Sequence, residues 1–112
     1  MLIFKILTRP QWTSLCVAGE TKGAPIDLSD GFIHFSTAAQ TAETAAKHFA
    51  GADDLILLAV ESEPLGDTLK WEVSRNDDQF PHLYRTLRLA DITWARDMPL
   101  GDHGHILPDG VE

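Results

Sequence analysis

The chain has one cysteine, Cys16, in 112 residues, which excludes an internal disulfide and a cysteine metal cage. It therefore reads as a protein of a reducing compartment, the cytoplasm. No uncharged apolar run approaches the roughly 18 residues that a spanning helix needs, and the opening MLIFKIL is broken by Lys5 with no small-residue cleavage site behind it. Neither a membrane span nor a secretory leader is expected. Basic residues are also scarce: nine Lys and Arg stand against seventeen Asp and Glu, a formal net charge of -8. That balance repels phosphate backbones and anionic lipid surfaces, so nucleic-acid and membrane partners are not expected. What is present is 44% hydrophobic and 23% charged residues, the balance of a chain that buries a core. One domain over residues 1–112 is expected, because this length is too short for two separate cores.

LIFKIL at 2–7 is rich in strand formers and carries a single charge. Thr8 and Pro10 then stand as a helix cap and a first-turn proline. Trp12, Leu15 and Cys16 recur at helical spacing as an apolar stripe until Gly19 stops the pattern. From Glu20 to Gly31 the chain turns to Gly, Pro, Asp and Ser, which reads as a long surface loop. FIHFS at 32–36 predicts a strand with Phe32, His34 and Ser36 on one face and Ile33 and Phe35 on the other. Thr37 and Gln40 have capping-box spacing, and a helix follows from about Ala38 to Ala50, with Gly51 as a left-handed stop. DLILLAVE at 54–61 predicts a strand buried on both faces, and LKWEVS at 69–74 an alternating one. FPHLY at 80–84 reads as a loop or short turn leading into a strand, RLADITWA at 88–95 as a further strand, and 99–112 as a loosely packed tail.

The residues able to carry chemistry collect near strand ends: His34, Ser36, Thr37, Gln40, Trp71, Glu72, His82 and Tyr84. The first four share one strand-to-helix junction, where helix amides, a hydroxyl and an imidazole together suit an anionic or sugar-bearing ligand. Each has a plainer structural reading beside the functional one. Thr37 and Gln40 suffice as a cap, and His34 among Phe32, Ile33 and Phe35 suits a hydrogen-bonded core histidine as well as a ligand contact. Glu72 is either a proton carrier or a solvated outer-face carboxylate, and Phe80, Leu83 and Tyr84 either line a site or plug the core. His48 suits the negative end of its helix. His103 and His105, beside Asp102 and Asp109, read as an exposed polar tail rather than a metal centre.

DGFIHFSTAAQ at 30–40, LKWE at 69–72 and FPHLY at 80–84, with Trp12 after an opening strand, closely resemble a bacterial family catalogued as domain of unknown function 952. The resemblance covers nearly the whole chain. That family is similar in fold to the ADP-ribosyltransferase superfamily, which includes NAD-consuming RNA 2'-phosphotransferases. The resemblance implies an α+β domain of that type, with a small curved mixed or antiparallel sheet and two helices. It also implies NAD as the candidate cofactor. His34 with Ser36 is similar to the superfamily's histidine-x-hydroxyl strand, whose histidine contacts the adenosine-side ribose while the hydroxyl supports the site. By the same resemblance His82 and Tyr84 face that cleft; Glu72, which matches this family's own LKWE motif and not the transferase signature, is the one candidate for a catalytic glutamate. Arg85 stands where relatives usually carry glycine, and the basic cluster with which phosphotransferases grip RNA is missing.

The function so implied is an enzyme or enzyme-derived binder acting on a nucleotide-like or ADP-ribose-like small molecule. His34, Glu72 and His82 are the catalytic candidates, and Ser36, Thr37, Gln40, Trp71 and Tyr84 the ligand contacts. The alternative is a non-enzymatic metabolite- or protein-binding module in which the same residues hold the fold. Charge alone gives a first prediction: in an anisotropy titration at physiological salt, labelled duplex and single-stranded oligonucleotides should not bind. Salt-sensitive micromolar binding would overturn it.

Overall fold

The apolar run before Glu61 becomes the centre of the molecule. A computed structural model of the chain, which describes residues 1–74 and 77–112, places β4 (Leu55–Glu61) between β1 (Leu2–Thr8) and β8 (Ile92–Met98) in an antiparallel sheet. Leu55 to Val60 are buried without interruption because both faces of this sheet are covered. One face carries Ile3, Leu7, Ile56, Leu58 and Val60, packed with Leu15 of α1 (Arg9–Ala18) and with Ile33, Phe35 and Leu83. The other carries Phe4, Ile6, Leu57 and Ala59, packed with Ala45 of α3 (Ala38–His48) and with Leu107 and Val111 near the end of the chain.

A second antiparallel sheet has the order β3 (Ile33–His34), β6 (Gln79–Leu83), β5 (Leu69–Val73). Phe4 and Ser36 join it to the first: each donates its N–H to the other's carbonyl at 2.8 Å. Two short ladders complete the pairing, β2 (Glu20–Thr21) with β7 (Leu87–Arg88), and β9 (Leu100–Gly101) with β10 (Gly104–His105). The α+β class stands, while the expected one curved sheet is replaced by separate ladders, all antiparallel among the described residues.

Several local expectations are corrected. Residues 20–31 are not a loop. They contain β2 and a third α-helix, α2 (Pro25–Asp30), which Pro25 opens and which Gly31 closes at φ +85°, a value that disfavours any side chain. The first four residues of FPHLY are strand rather than loop, although Pro81 lies in the middle strand. Pro81 accepts from the Phe35 N–H at 3.0 Å, so its missing donor faces β3 just past that strand's end, and no bond to β5 is lost. The segment 88–95 is split by a short 3-10 turn, Leu89–Asp91, whose Asp91 accepts from the Arg88 N–H at 2.8 Å, and β8 then runs on to Met98. Helix α3 stops at His48, short of the expected Ala50. The tail expected to pack loosely is held down by Leu107 and Val111 and by a 2.7 Å hydrogen bond from the His105 ring to the Ala52 carbonyl. Cys16 is exposed, not on the buried stripe of α1.

Leu58 lies at the middle of the central strand with no exposed surface. Leu58→Ala should lower unfolding stability by about 2–5 kcal/mol, the transfer and cavity terms together. Urea unfolding by circular dichroism measures this, and a loss below about 1 kcal/mol would show that the site collapses around the gap.

Candidate functional site

Two-residue alternation decides what faces outward from the second sheet. Ile33 and Phe35 enter the core, so Phe32, His34 and Ser36 share the opposite side. His82 is the direct cross-strand partner of His34, and their rings lie 5.4 Å apart, edge to face. Phe32 packs against both rings. Its ring is stacked on His82 at 4.1 Å and lies 4.6 Å from His34 and 5.2 Å from Tyr84.

Behind His34 stands a fully buried carboxylate, Asp27, which sequence reading had left in a loop. Four donors converge on it. Oδ1 accepts from the His34 N–H at 3.0 Å and from the ring Nδ1 at 2.6 Å; Oδ2 accepts from the Ala24 N–H at 2.7 Å and from Lys5 Nζ at 2.9 Å. Lys5 also donates to the His34 carbonyl at 3.0 Å. Burial works against the Asp27 charge, but the His34 hydrogen bond and the neighbouring Lys5 ammonium outweigh it and hold the carboxyl at about 2. Burial also lowers the pKa of Lys5, with Asp27 pulling the other way. The second ring nitrogen of His34, Nε2, lies 2.9 Å from Asp30 Oδ2. Both contacts are donated hydrogen bonds only when the ring carries two protons.

His82 is held differently. Its Nδ1 lies 3.0 Å from Glu72 Oε1, the atom to which the Tyr84 hydroxyl donates at 2.6 Å. The Tyr84 bond, followed by the one from His82, holds the Glu72 carboxyl below its ordinary range, and the same carboxylate raises the Tyr84 phenol. With Nδ1 occupied, the chemistry of His82 lies at Nε2, which has no hydrogen-bond partner among the described residues. A ring oriented this way by a carboxylate can take or give a proton there.

These groups border a pocket of about 360 Å³. His34, Ser36 and His82 all line it, with Gln11, Thr44 and His48 as further polar members and Phe4, Ile6, Phe35, Phe49 and Phe80 as apolar ones. Glu72 reaches the pocket through His82. Tyr84 borders a separate depression of about 270 Å³ across Phe32, beside Arg85, whose guanidinium makes a two-bond pair with Asp91. Thr37 and Gln40 form the reciprocal cap of α3, and the Gln40 amide donates to the Gln79 carbonyl; neither lines the pocket. Trp71 lies on the face of β5 opposite Glu72, away from both histidines. His105 bonds to Ala52, and no group of three or more metal-ligating side chains occurs among the described residues.

Lys5, Asp27 and Asp30 were missed as members of the site. One signal was the lone charge inside LIFKIL, since a lysine buried in a strand needs a counter-charge. The other was Pro25 followed by Asp27 and Gly31, the punctuation of a short capped helix.

A family model described as "Protein of unknown function (DUF952)" matches residues 6–95. The crystal structure of protein CC0527 from Caulobacter crescentus is similar over 99% of this chain and 98% of its own, at 48% identity and a TM-score of 0.94. The solution NMR structure of CC0527 is similar over 93% and 90%, at 50% identity and a TM-score of 0.84. No curated protein matches the chain.

Asp27 yields a prediction with a definite sign. Its folded pKa lies below the unfolded value, so its contribution is complete above about pH 5 and fades as pH falls towards 2. The depression corresponds to about 2 kcal/mol. Urea unfolding of wild type and Asp27→Asn from pH 7 to pH 2 should show the acid-induced loss smaller in the variant by about that amount. At pH 7 Asp27→Ala should lose about 3–5 kcal/mol, because Lys5 is left buried without a counter-charge. Identical pH slopes in wild type and Asp27→Asn would disprove the assignment.

Proposed function

The chain belongs to the DUF952 family, whose name brings no activity with it, and we propose that its pocket binds the ribosyl or nucleoside portion of a nucleotide-like, ADP-ribose-like small molecule. The observation that carries this reading is the meeting of His34, Ser36 and His82 at one pocket, each imidazole oriented by a carboxylate. A volume near 360 Å³ is at the smaller end of ligand sites and suits a ring and its sugar. The Ser36 hydroxyl, which shares a 2.9 Å hydrogen bond with Thr44 Oγ1, the Gln11 amide and His82 Nε2 offer both donors and acceptors, as a polyhydroxyl ligand requires.

Similarity of the fold to ADP-ribosyltransferases, proposed from the sequence motifs, would make NAD the parent ligand. The donor set of the described residues suits its nucleoside portion. Among the described residues no arginine lines the pocket, and the Lys5 ammonium is already held by Asp27. In this reading Ser36 orients a sugar hydroxyl, the His34 ring, with both nitrogens on carboxylates, packs against the ligand, and His82 exchanges a proton at Nε2, with Glu72 fixing the ring. A binding module without turnover is the second reading, favoured by the engagement of both His34 nitrogens with carboxylates.

Thermal-shift and calorimetric titrations with adenosine, ADP-ribose and NAD test the proposal. A ligand present at about 100 times its dissociation constant adds about 2.7 kcal/mol of stability. Adenosine or ADP-ribose should raise the melting temperature, and Ile26→Glu at the exposed pocket rim should weaken binding by about tenfold, a difference of about 1.4 kcal/mol. Absence of any shift with all three compounds sinks the proposal. Chromatography of the incubated ligands separates the readings, since a module leaves them intact.

A further inference from the structure

The strand motif LKWEV is left with side chains the pocket does not use. Trp71 is 38% and Val73 62% exposed, and β5 is the outer strand of its sheet. Hydrogen bonds just beyond its ends show which backbone groups face outward. The Tyr84 N–H donates to the Thr68 carbonyl at 2.7 Å, and the Ser74 N–H donates to the Asp78 carbonyl at 2.9 Å. The even-numbered residues therefore turn their backbones toward β6, in an unbroken register from Leu69 to Val73. By alternation, Leu69, Trp71 and Val73 present N–H and C=O groups to the open edge, a template for another strand.

We propose that β5 is a homodimerisation strand, pairing antiparallel with a second copy of this chain about a two-fold axis through Trp71. The sequence of the edge selects this occupant. With the axis at Trp71, Lys70 falls opposite Glu72 of the partner subunit, and Glu72 opposite Lys70 of the partner subunit. Leu69 falls opposite the partner's Val73, and the two Trp71 side chains lie side by side. A parallel, in-register pairing would instead set lysine against lysine and glutamate against glutamate. The odd-numbered residues make the hydrogen-bonded pairs, so the two Lys70–Glu72 pairs occupy the non-hydrogen-bonded positions, where side chains come closest. Both intramolecular bonds to Glu72 fall on Oε1, and its side chain is 40% exposed, so Oε2 can accept from Lys70 of the partner subunit. The result is an isologous, self-complementary interface that merges the two three-stranded sheets into one of six. Nothing in it depends on the ligand proposed for the pocket.

Sedimentation velocity over a series from micromolar to millimolar protein tests this. The mass should rise from 12.4 kDa toward twice that value. Lys70→Glu should raise the dimer dissociation constant by about tenfold or more by setting carboxylates opposite each other. Combining it with Glu72→Lys should restore association, and Val73→Pro, which removes an N–H aimed at the open edge, should weaken it while the thermal melt shows a folded chain. Hydrogen exchange locates the contact: amides of Leu69, Trp71 and Val73 should gain protection with concentration while those of Lys70 and Glu72 do not change. A monomer throughout the series overturns the proposal. So does a dimer that is insensitive to both Lys70→Glu and Val73→Pro, or one whose new protection lies elsewhere.

Discussion

The buried carboxylate of Asp27 is the constraint on which the site depends. It receives donors from Lys5 on β1, from the start of α2, and from both the backbone and the ring of His34 on β3. A buried ion pair of this kind adds little net stability compared with apolar packing, yet removing one partner is expensive. Its effect is positional: it fixes the distance between β1 and β3, and so the direction in which His34 enters the pocket. α2, with six residues, is too short to stand on its own and takes its place from the same contacts.

The two imidazoles on this frame are not equivalent. His34 has a carboxylate at each ring nitrogen and is a third exposed, so its ring is fixed and presents a face rather than a free nitrogen. His82 is almost wholly buried, stacked on Phe32, with a single carboxylate at Nδ1. A ring so placed can change its protonation at one nitrogen without giving up its orientation. Phe32 packs against both rings and lies beside the shallower pocket at Tyr84.

Much of the fold was legible where a single rule governed. The continuous apolar run of β4, the Thr8 cap, the Thr37–Gln40 capping box, and the alternation that brought His34 and Ser36 to one face all follow from local pattern. The errors came where tertiary contacts overrode local signs. FPHLY looked like a turn because of Pro81, but β3 ends early enough that the missing N–H is harmless. Residues 20–31 looked like a loop because a six-residue helix has no periodicity to detect. The tail looked unpacked because its few anchors, Leu107, Val111 and His105, are far apart in sequence from what they touch. Trp71 and Tyr84 illustrate the limit of motifs: they accompany His82 in sequence, yet alternation sends Trp71 to the far face and Tyr84 lines the shallower pocket beside Phe32.

The place of β4 also bears on how the chain reaches this state. Its neighbours on either side are drawn from opposite ends of the sequence, Leu2 pairing with Glu61 and Leu55 with Met98. Pairings at such separation slow folding, since long loops must close before any reward arrives. On a ribosome, the most apolar strand waits with one edge bare until β8 has been synthesised and has cleared the exit tunnel. The nascent chain therefore exposes its most aggregation-prone edge in that interval.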